Sequence, residues 1–212
     1  MNKINIGLIG YGNVGSGVLK FLQNRREFIR YKFNTEFNIK TICDRSIHKK
    51  ITSPDTKVRL TANFQEVLTD PEIDVIVELV GGIHPAREIV EGALKESKHV
   101  VTANKSLLAN CGKELFALAQ QCNRSIYFES AVGAGIPTIK TITEGVAGNK
   151  FNRVYGIING TCNFILSEMT KNRWSFKQAL EEAQRRGFAE SNPALDISGM
   201  DSAHKLVILV FL

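Results

Sequence analysis

The sequence predicts an α/β protein whose N-terminal part is a doubly wound parallel sheet. Three observations predict this fold. Apolar runs of strand length alternate with amphipathic runs of helical length over residues 1–128, and short connections join them. Residues 74–80 are apolar almost throughout, as expected of a strand that is buried on both faces. A glycine-rich turn separates the first predicted strand from the first predicted helix.

Length and composition place the chain among ordinary globular proteins. Its 212 residues suggest one large domain, or one domain with part of another. Hydrophobic residues make up 43% and charged residues 23%, which argues against disordered and fibrous classes. The start of the chain does not resemble a secretory signal, and its apolar runs are shorter than the ~20 residues that span a bilayer. We therefore expect a cytoplasmic protein without a membrane partner.

Charge and cysteine usage narrow the expected partners. The formal net charge is +6, but the basic residues form short clusters without interleaved aromatic residues, so nucleic acid is not an expected partner. The four cysteines, at positions 43, 111, 122 and 162, show no C-x-x-C spacing and no nearby histidine cluster. We expect reduced thiols rather than a zinc site or a disulfide framework.

The first element pair predicts a dinucleotide site. Residues 3–9 form an apolar run of strand length, and apolar residues recur at helical spacing from Asn13 onward. The turn between them reads Gly10-Tyr11-Gly12-Asn13-Val14-Gly15. In a Rossmann-type domain the first glycine permits a tight bend, the second admits a pyrophosphate and the third lets the helix pack on the strand. The phosphates then lie at the helix N-terminus.

The end of the second predicted strand leaves the choice of cofactor open. We predict a long connection over residues 24–38 and a strand over residues 37–43, followed by Asp44 and Arg45. An acid here commonly binds the ribose hydroxyls of NAD, and a nearby arginine can take the 2'-phosphate of NADP. Asp44 could equally be a simple turn residue. The expected cofactor is therefore NADP or NAD.

The remaining predicted strands place Lys105 at the edge of the sheet where the carboxyl ends of the strands lie. The strand at residues 74–80 precedes a predicted helix through about Glu96, and residues 98–102 predict the next strand. Lys105 follows that strand end, where ligands of such sheets bind, although a solvated loop lysine is the alternative. A helix over about residues 112–122 and a strand over residues 125–128 complete this part.

The second part of the chain opens with a run of small residues. Residues 129–137 contain two glycines and end in Pro137, which suits the start of a helix to about Val146. Such a turn could aim carbonyls at a cation or could simply pack backbone closely. Residues 151–158 predict a strand, and a helix through about residue 171 follows. Asn159 and Thr161, at the start of this helix, could be caps or ligand contacts. Ser175 and Gln178 match a capping box that begins the next helix.

Charged groups concentrate at helical spacing near residue 200. Asp201 and Lys205 are four residues apart and share one helix face, and Glu190 and Asp196 precede them. This arrangement indicates a proton-handling site. The alternative is an ordinary surface ion pair on a helix that Ser198 and Asp201 begin as a capping box.

Taken together, these motifs resemble the homoserine dehydrogenase family. The matching segments are the glycine turn, residues 101–105, residues 129–137, residues 156–163 and residues 187–205. They occur in one order along the whole chain. The resemblance implies an NAD(P)-dependent oxidoreductase of amino-acid biosynthesis that interconverts L-aspartate 4-semialdehyde and L-homoserine.

The resemblance also implies residue roles. Lys205 would be the catalytic acid and base, with Lys105 nearby in the active site, and Glu190, Asp196 and Asp201 would bind the substrate. Gly187 would contact the cofactor. A sodium or potassium ion would lie on the backbone carbonyls of Glu129, Val132, Ala134 and Ile136. Family members are typically homodimers.

The resemblance further implies how the chain is divided. Residues 1–128 would form the dinucleotide-binding domain, and residues 129–212 would form part of an α+β catalytic and dimerisation domain. Family members continue beyond the helix of Lys205, so we expect an N-terminal portion of such an enzyme. Two alternatives remain: another Rossmann oxidoreductase of amino-acid aldehydes, and a dinucleotide-binding module without turnover.

Overall fold

The computed structural model describes residues 1–51 and 58–212. The chain divides into two compact units, Met1–Ala134 (unit 1) and Gly135–Leu212 (unit 2). The expected division of function at residue 129 stays a prediction.

Unit 1 contains a parallel sheet of six strands. They are β1 (Asn2–Ile9), β2 (Thr35–Cys43), β3 (Arg59–Thr61), β4 (Val75–Glu78), β5 (His99–Thr102) and β6 (Ile126–Tyr127). Their order across the sheet is β3-β2-β1-β4-β5-β6, and every neighbouring pair is parallel. This order reverses direction between β1 and β4, which is the topological switch point of a Rossmann-type sheet. The predicted fold class is confirmed.

Helices cover both faces of this sheet. They are α1 (Asn13–Asn24), α2 (Arg26–Phe33), α3 (Ile47–Lys50), α4 (Gln65–Leu68), α5 (Ala86–Lys95) and α6 (Lys105–Gln121). On one face Ile76 and Val100 of the central strands pack in a cluster with Ile89 of α5 and Leu107 of α6. The central strands are buried on both faces, because Leu8 and Val77 belong to a second cluster. Burial on both sides explains their apolar sequence.

Two predictions about unit 1 were wrong. The expected connection over residues 24–38 contains α2, in which Ile29 is the buried residue. The helix has only eight residues, fewer than the about 11 over which helical periodicity becomes visible, and its Arg30 pairs with Glu27 at 3.2 Å. The helix expected from residue 112 begins at Lys105, where the Asn104 side chain accepts a hydrogen bond from the Leu107 N–H at 3.0 Å.

Unit 2 is helical in its described residues. Helix α7 (Thr138–Lys140) continues as a π-helical turn over Thr141–Gly145, and it is followed by α8 (Gly160–Asn172), α9 (Phe176–Arg185), α10 (Ala194–Ile197) and α11 (Met200–Val210). Ala179 and Ala183 of α9 pack in one cluster with Ile165 of α8. The capping box of Ser175 and Gln178 is confirmed.

The strand predicted over residues 151–158 is not formed. This segment has no regular secondary structure, and Val154, Tyr155 and Ile157 are exposed. A strand needs a neighbour to complete its backbone hydrogen bonds. The described residues of unit 2 contain no other strand that could supply one.

No helix in the described ranges is long and apolar enough to cross a membrane. The longest one, α6, has 17 residues, whereas the hydrocarbon core of a bilayer requires about 20 apolar residues.

Candidate functional site

The glycine turn after β1 is packed too closely for side chains at two positions. Gly10 has a φ of 100°, and a Cβ there would lie 2.5 Å from the backbone carbon of Leu79. A Cβ on Gly15 would lie 2.1 Å from the carbonyl oxygen of Gly10. Helix α1 therefore begins directly against the turn, beside the switch point between β1 and β4.

Gly12 faces open space instead. A Cβ on Gly12 would meet no heavy atom within 4 Å. Gly12 is also the N-cap of α1, and no side chain caps the helix there. The first N–H groups of a helix have no partner within the helix, and its N-terminus attracts anions. The exposed Asn13 and Val14 border this opening, which suits the pyrophosphate of a dinucleotide.

The Asp44 carboxylate organises the turn after β2. It accepts hydrogen bonds from the Tyr11 N–H at 2.9 Å and from the N–H and hydroxyl of Ser46 at 2.9 and 2.8 Å. Lys50 Nζ lies 2.7 Å from Oδ2. Burial opposes ionisation of Asp44, but the bonds from Lys50, Ser46 and Tyr11 outweigh it and hold its pKa well below the usual value. The neighbouring Arg45 is exposed.

A buried polar network lies at the carboxyl ends of β4 and β5. The Thr102 hydroxyl donates to Glu78 Oε2 at 2.6 Å, and Glu78 Oε1 accepts from the Val80 N–H at 2.8 Å. Asn104 donates from Nδ2 to the carbonyl of Gly82 at 2.7 Å. These bonds hold the loop after β4 against the loop after β5, at the edge where such sheets bind ligands. Glu78 carries no sequence signal of its own, because it lies within a run of residues typical of a buried strand.

Lys105 begins α6 at this same edge. Its N–H donates to the carbonyl of Ala103 at 3.1 Å, and its side chain is half-buried. Lys105 is therefore a helical residue and not the solvated loop lysine of the alternative interpretation. Its contact with a cofactor stays a prediction.

The residues predicted to hold a cation form two short turns. Glu129 begins a 3₁₀ turn, and its carbonyl accepts from the Val132 N–H at 3.5 Å. Ala134 has a φ of 51°. Ile136, which lies in unit 2, accepts from the Thr138 N–H at 2.7 Å. Among the residues that the structure describes, no group of three or more His, Cys, Asp or Glu side chains could hold a metal ion.

In unit 2 the ion pair of α11 is buried and not on the surface. Lys205 Nζ lies 2.8 Å from Asp201 Oδ2, and the two side chains are only 16% and 3% exposed. The same Nζ donates to the carbonyl of Ile158 at 2.6 Å. The alternative interpretation as a surface pair is thus wrong, because the segment before α8 covers this face of the helix.

Asn159 links this pair to a second carboxylate. Its Nδ2 donates to Asp201 Oδ2 and to Asp196 Oδ1, at 2.8 Å in each case. Its Oδ1 accepts from the Cys162 N–H at 2.7 Å, which confirms Asn159 as the cap of α8. The bonds to the carboxylates span 37 and 42 residues, so no sequence spacing could reveal them.

The capping box of Ser198 and Asp201, which belonged to the alternative interpretation, is not formed. Gly199, with a φ of 78°, is the N-cap of α11, and no side chain caps the helix. The Asp201 carboxylate is turned toward Lys205 and Asn159 instead. A role in capping would have required it to face the backbone that precedes the helix.

Gly187 and Glu190 lie on the connection between α9 and α10. Gly187 has a φ of 77°, and its N–H donates to the carbonyl of Gln184 at 3.1 Å just after the end of α9. The Glu190 side chain is exposed, while its carbonyl accepts from Gln184 Nε2 at 3.1 Å.

Comparisons with known proteins point to one family. A family model described as "Homoserine dehydrogenase, NAD binding domain" matches residues 10–129, and one described as "Homoserine dehydrogenase" matches residues 137–212. The homoserine dehydrogenase of Bacillus subtilis (strain 168) is 40% identical over 209 residues, which cover 99% of this chain and 48% of that protein. That of Pseudomonas aeruginosa is 44% identical over 209 residues, with the same coverage.

Solved structures of homoserine dehydrogenases are similar to this chain as well. A homoserine dehydrogenase from Thiobacillus denitrificans superposes with a TM-score of 0.90 and 46% identity, over 98% of this chain and 48% of that one. A hyperthermophilic archaeal homoserine dehydrogenase in complex with NADPH gives a TM-score of 0.84 and 29% identity, over 98% and 68% of the two chains. The chain spans about half the length of the curated relatives it matches.

Proposed function

The chain belongs to the homoserine dehydrogenase family, and we propose that it takes part in the interconversion of L-aspartate 4-semialdehyde and L-homoserine with NAD(P). The observation that carries this proposal is the buried pair of Lys205 and Asp201. An ammonium group held by a carboxylate and a carbonyl is a positioned proton donor. Such a donor suits a reaction that produces an alcohol from an aldehyde.

Unit 1 would bind the cofactor. The open side of Gly12 and the uncapped start of α1 fit a pyrophosphate, and Tyr11, Asn13 and Val14 border it. When bound, the nicotinamide supplies or accepts the hydride. Asp44 or Arg45 would contact the adenosine ribose. Lys105 and Gly187 would also contact the cofactor when it is bound.

Unit 2 would supply the proton. When the aldehyde carbon is reduced, its oxygen becomes an alkoxide, and Lys205 donates a proton from Nζ to that oxygen. In the reverse direction the neutral Lys205 amine accepts the proton of the homoserine hydroxyl. Asp201 and the Ile158 carbonyl would keep Nζ in place during both steps.

The carboxylates near Lys205 would also bind the substrate. Both substrates carry an ammonium group, which a carboxylate binds by charge-assisted hydrogen bonds. Each carboxylate offers about four lone-pair positions, so Asp196 and Asp201 keep acceptor capacity beyond their bonds to Asn159. The exposed Glu190 would add a third carboxylate.

We further propose that the carbonyls of Glu129, Val132, Ala134 and Ile136 bind sodium or potassium. Oxygen ligands suit such hard cations, and a carbonyl that already accepts one hydrogen bond retains a second lone pair. The cation would stiffen the turns that carry these residues. The working protein would be a cytoplasmic homodimer of threonine, methionine and isoleucine biosynthesis.

A direct spectrophotometric assay of cofactor oxidation tests the proposal. NADPH and NADH oxidation is followed with L-aspartate 4-semialdehyde, using this polypeptide and any longer form that contains it. Lys205→Met should lower turnover about a hundredfold or more while dinucleotide binding is retained. Lys171→Met removes an exposed lysine from α8 and serves as the control.

The alternatives predict different outcomes. A dinucleotide-binding module without turnover would bind cofactor but show no oxidation in any form of the protein. Another aldehyde reductase would act on a different amino-acid aldehyde and leave aspartate semialdehyde unreduced. Equal turnover of the wild type and Lys205→Met would remove the proposed role of Lys205.

A further inference from the structure

Asn159 uses every hydrogen-bonding group of its side chain. The residue is buried, with 7% of its surface exposed. Its Oδ1 caps α8, and its Nδ2 donates to both Asp196 and Asp201. An amide has one oxygen acceptor and two N–H donors, so Asn159 has no donor left for anything else.

The two acceptors of Nδ2 would repel each other without it. Oδ1 of Asp196 and Oδ2 of Asp201 both lie 2.8 Å from the same nitrogen. Two carboxylates that share a site disfavour each other's charge. The amide directs one N–H group to each of them, which allows the two carboxylates to lie close together.

The same carboxylate oxygen holds the lysine. Asp201 Oδ2 accepts from Asn159 and is 2.8 Å from Lys205 Nζ. Lys205 Nζ also donates to the carbonyl of Ile158, the residue just before Asn159. Two consecutive residues at the start of α8 therefore fix both members of the α11 ion pair.

We propose that Asn159 is a positioning residue, which holds Asp196 and Asp201 on one nitrogen and thereby fixes the orientation of Lys205. The proposal deepens the proposed function, on which it rests for the meaning of that orientation. The contacts themselves do not depend on the reaction and can be tested by themselves.

A helix cap alone is the competing explanation. Aspartate caps a helix as well as asparagine does, so a cap-only role predicts that Asn159→Asp changes little. An ionised carboxylate at this position cannot donate and adds a third negative charge. The charged and titratable groups that face it are Asp196, Asp201, Lys205 and the Cys162 thiol, whose pKa is raised by burial and then by the charges of the two aspartates.

The proposal also predicts how the stability of Asn159→Asp depends on pH. In Asn159→Asp the new carboxyl would be protonated more readily in the folded than in the unfolded protein, because its neighbours are negative. Its protonated form regains one donor. The stability lost at neutral pH should therefore return as the pH falls toward about 4, the unfolded value for aspartate.

Thermal unfolding of the full chain between about pH 4.5 and pH 8 tests this. We expect Asn159→Asp to lower Tm by roughly 5 °C at pH 7. Near pH 4.5 the Tm of this variant should approach the Tm of the control. The control is Asn163→Asp, which makes the same charge change at an exposed position of α8. A Tm equal to the control at all pH values, or a loss that does not shrink in acid, would overturn the proposal.

A second variant covers the case in which Asn159→Asp does not fold. Combining it with Asp196→Asn exchanges donor and acceptor, so the pair re-forms with reversed polarity and Tm should recover. A double variant no more stable than Asn159→Asp would contradict the proposal. If the wild type shows no turnover while these Tm effects occur, the proposed function fails and the positioning role stands.

Discussion

Lys50 forms an ion pair with Asp44, in which Nζ lies 2.7 Å from the carboxylate oxygen that also accepts the Tyr11 N–H. The acid that could bind the ribose hydroxyls of NAD is thereby engaged and neutralised. Arg45 is exposed beside it. We expect this arrangement to favour a cofactor that carries a 2'-phosphate, because the net charge of the three side chains is positive.

Removing the lysine should shift cofactor preference. In Lys50→Met the Asp44 charge is no longer balanced, so it should repel the 2'-phosphate and accept ribose hydroxyls. We expect the ratio of NADPH to NADH affinity to fall about tenfold, measured as dissociation constants by fluorescence titration. Lys49→Met removes an adjacent exposed charge. Equal effects of the two variants would show that only net charge matters.

Asp44 should also contribute to stability in a pH-dependent way. Its pKa is lowered in the folded protein, so its contribution is present above the unfolded value of about 4 and is lost as the pH falls below that value. Asp44→Asn should cost about 1–3 kcal/mol at pH 7, because the lysine and two N–H groups lose a charged acceptor. Urea unfolding should show the difference from wild type shrinking below about pH 4. A pH-independent difference would contradict this assignment.

Substitution by valine should change the free energy of unfolding in opposite directions at two buried threonines of the sheet. Thr102 donates to Glu78 and accepts from the Asn104 N–H at 3.0 Å, so Thr102→Val should destabilise by about 1–3 kcal/mol. Thr41 is equally buried, and its hydroxyl is the one buried side-chain polar atom without a partner among the described residues. Thr41→Val should be neutral or stabilise by up to about 1 kcal/mol. Denaturant unfolding of both variants measures the contrast, and similar losses would contradict the network.

Alanine substitutions at the glycines of the turn should affect dinucleotide binding and protein stability separately. Gly12→Ala places a methyl group in open space, so we expect a normal Tm and a dinucleotide affinity that falls about tenfold. Gly15→Ala collides with the Gly10 carbonyl and should destabilise by about 1–3 kcal/mol. Gly17→Ala, in open space within α1, should stabilise by about 1 kcal/mol. Unchanged binding by Gly12→Ala would argue against a pyrophosphate at this turn.

The sheet of unit 1 was predictable because its signals are local. Strand-length apolar runs and a glycine turn appear within short windows of sequence, and each depends on backbone geometry. Helix α2 escaped prediction because its eight residues are too few for a helical period to be recognised in the sequence. The strand expected over residues 151–158 failed for the opposite reason. Its pattern was present, but a ladder requires a partner strand, and the described residues of unit 2 provide none.

By itself the sequence determined the approximate positions of five of the six strands of unit 1, the glycine turn and the helical spacing of Asp201 and Lys205. Only the tertiary structure decided that this pair is buried, that Asn159 joins it to Asp196, and that Lys50 neutralises Asp44. Burial of the pair and the Asn159 bridge depend on groups roughly forty residues apart meeting in space. Local patterns encode backbone conformation, whereas the pairing of charges depends on which side chains the fold brings within hydrogen-bonding distance.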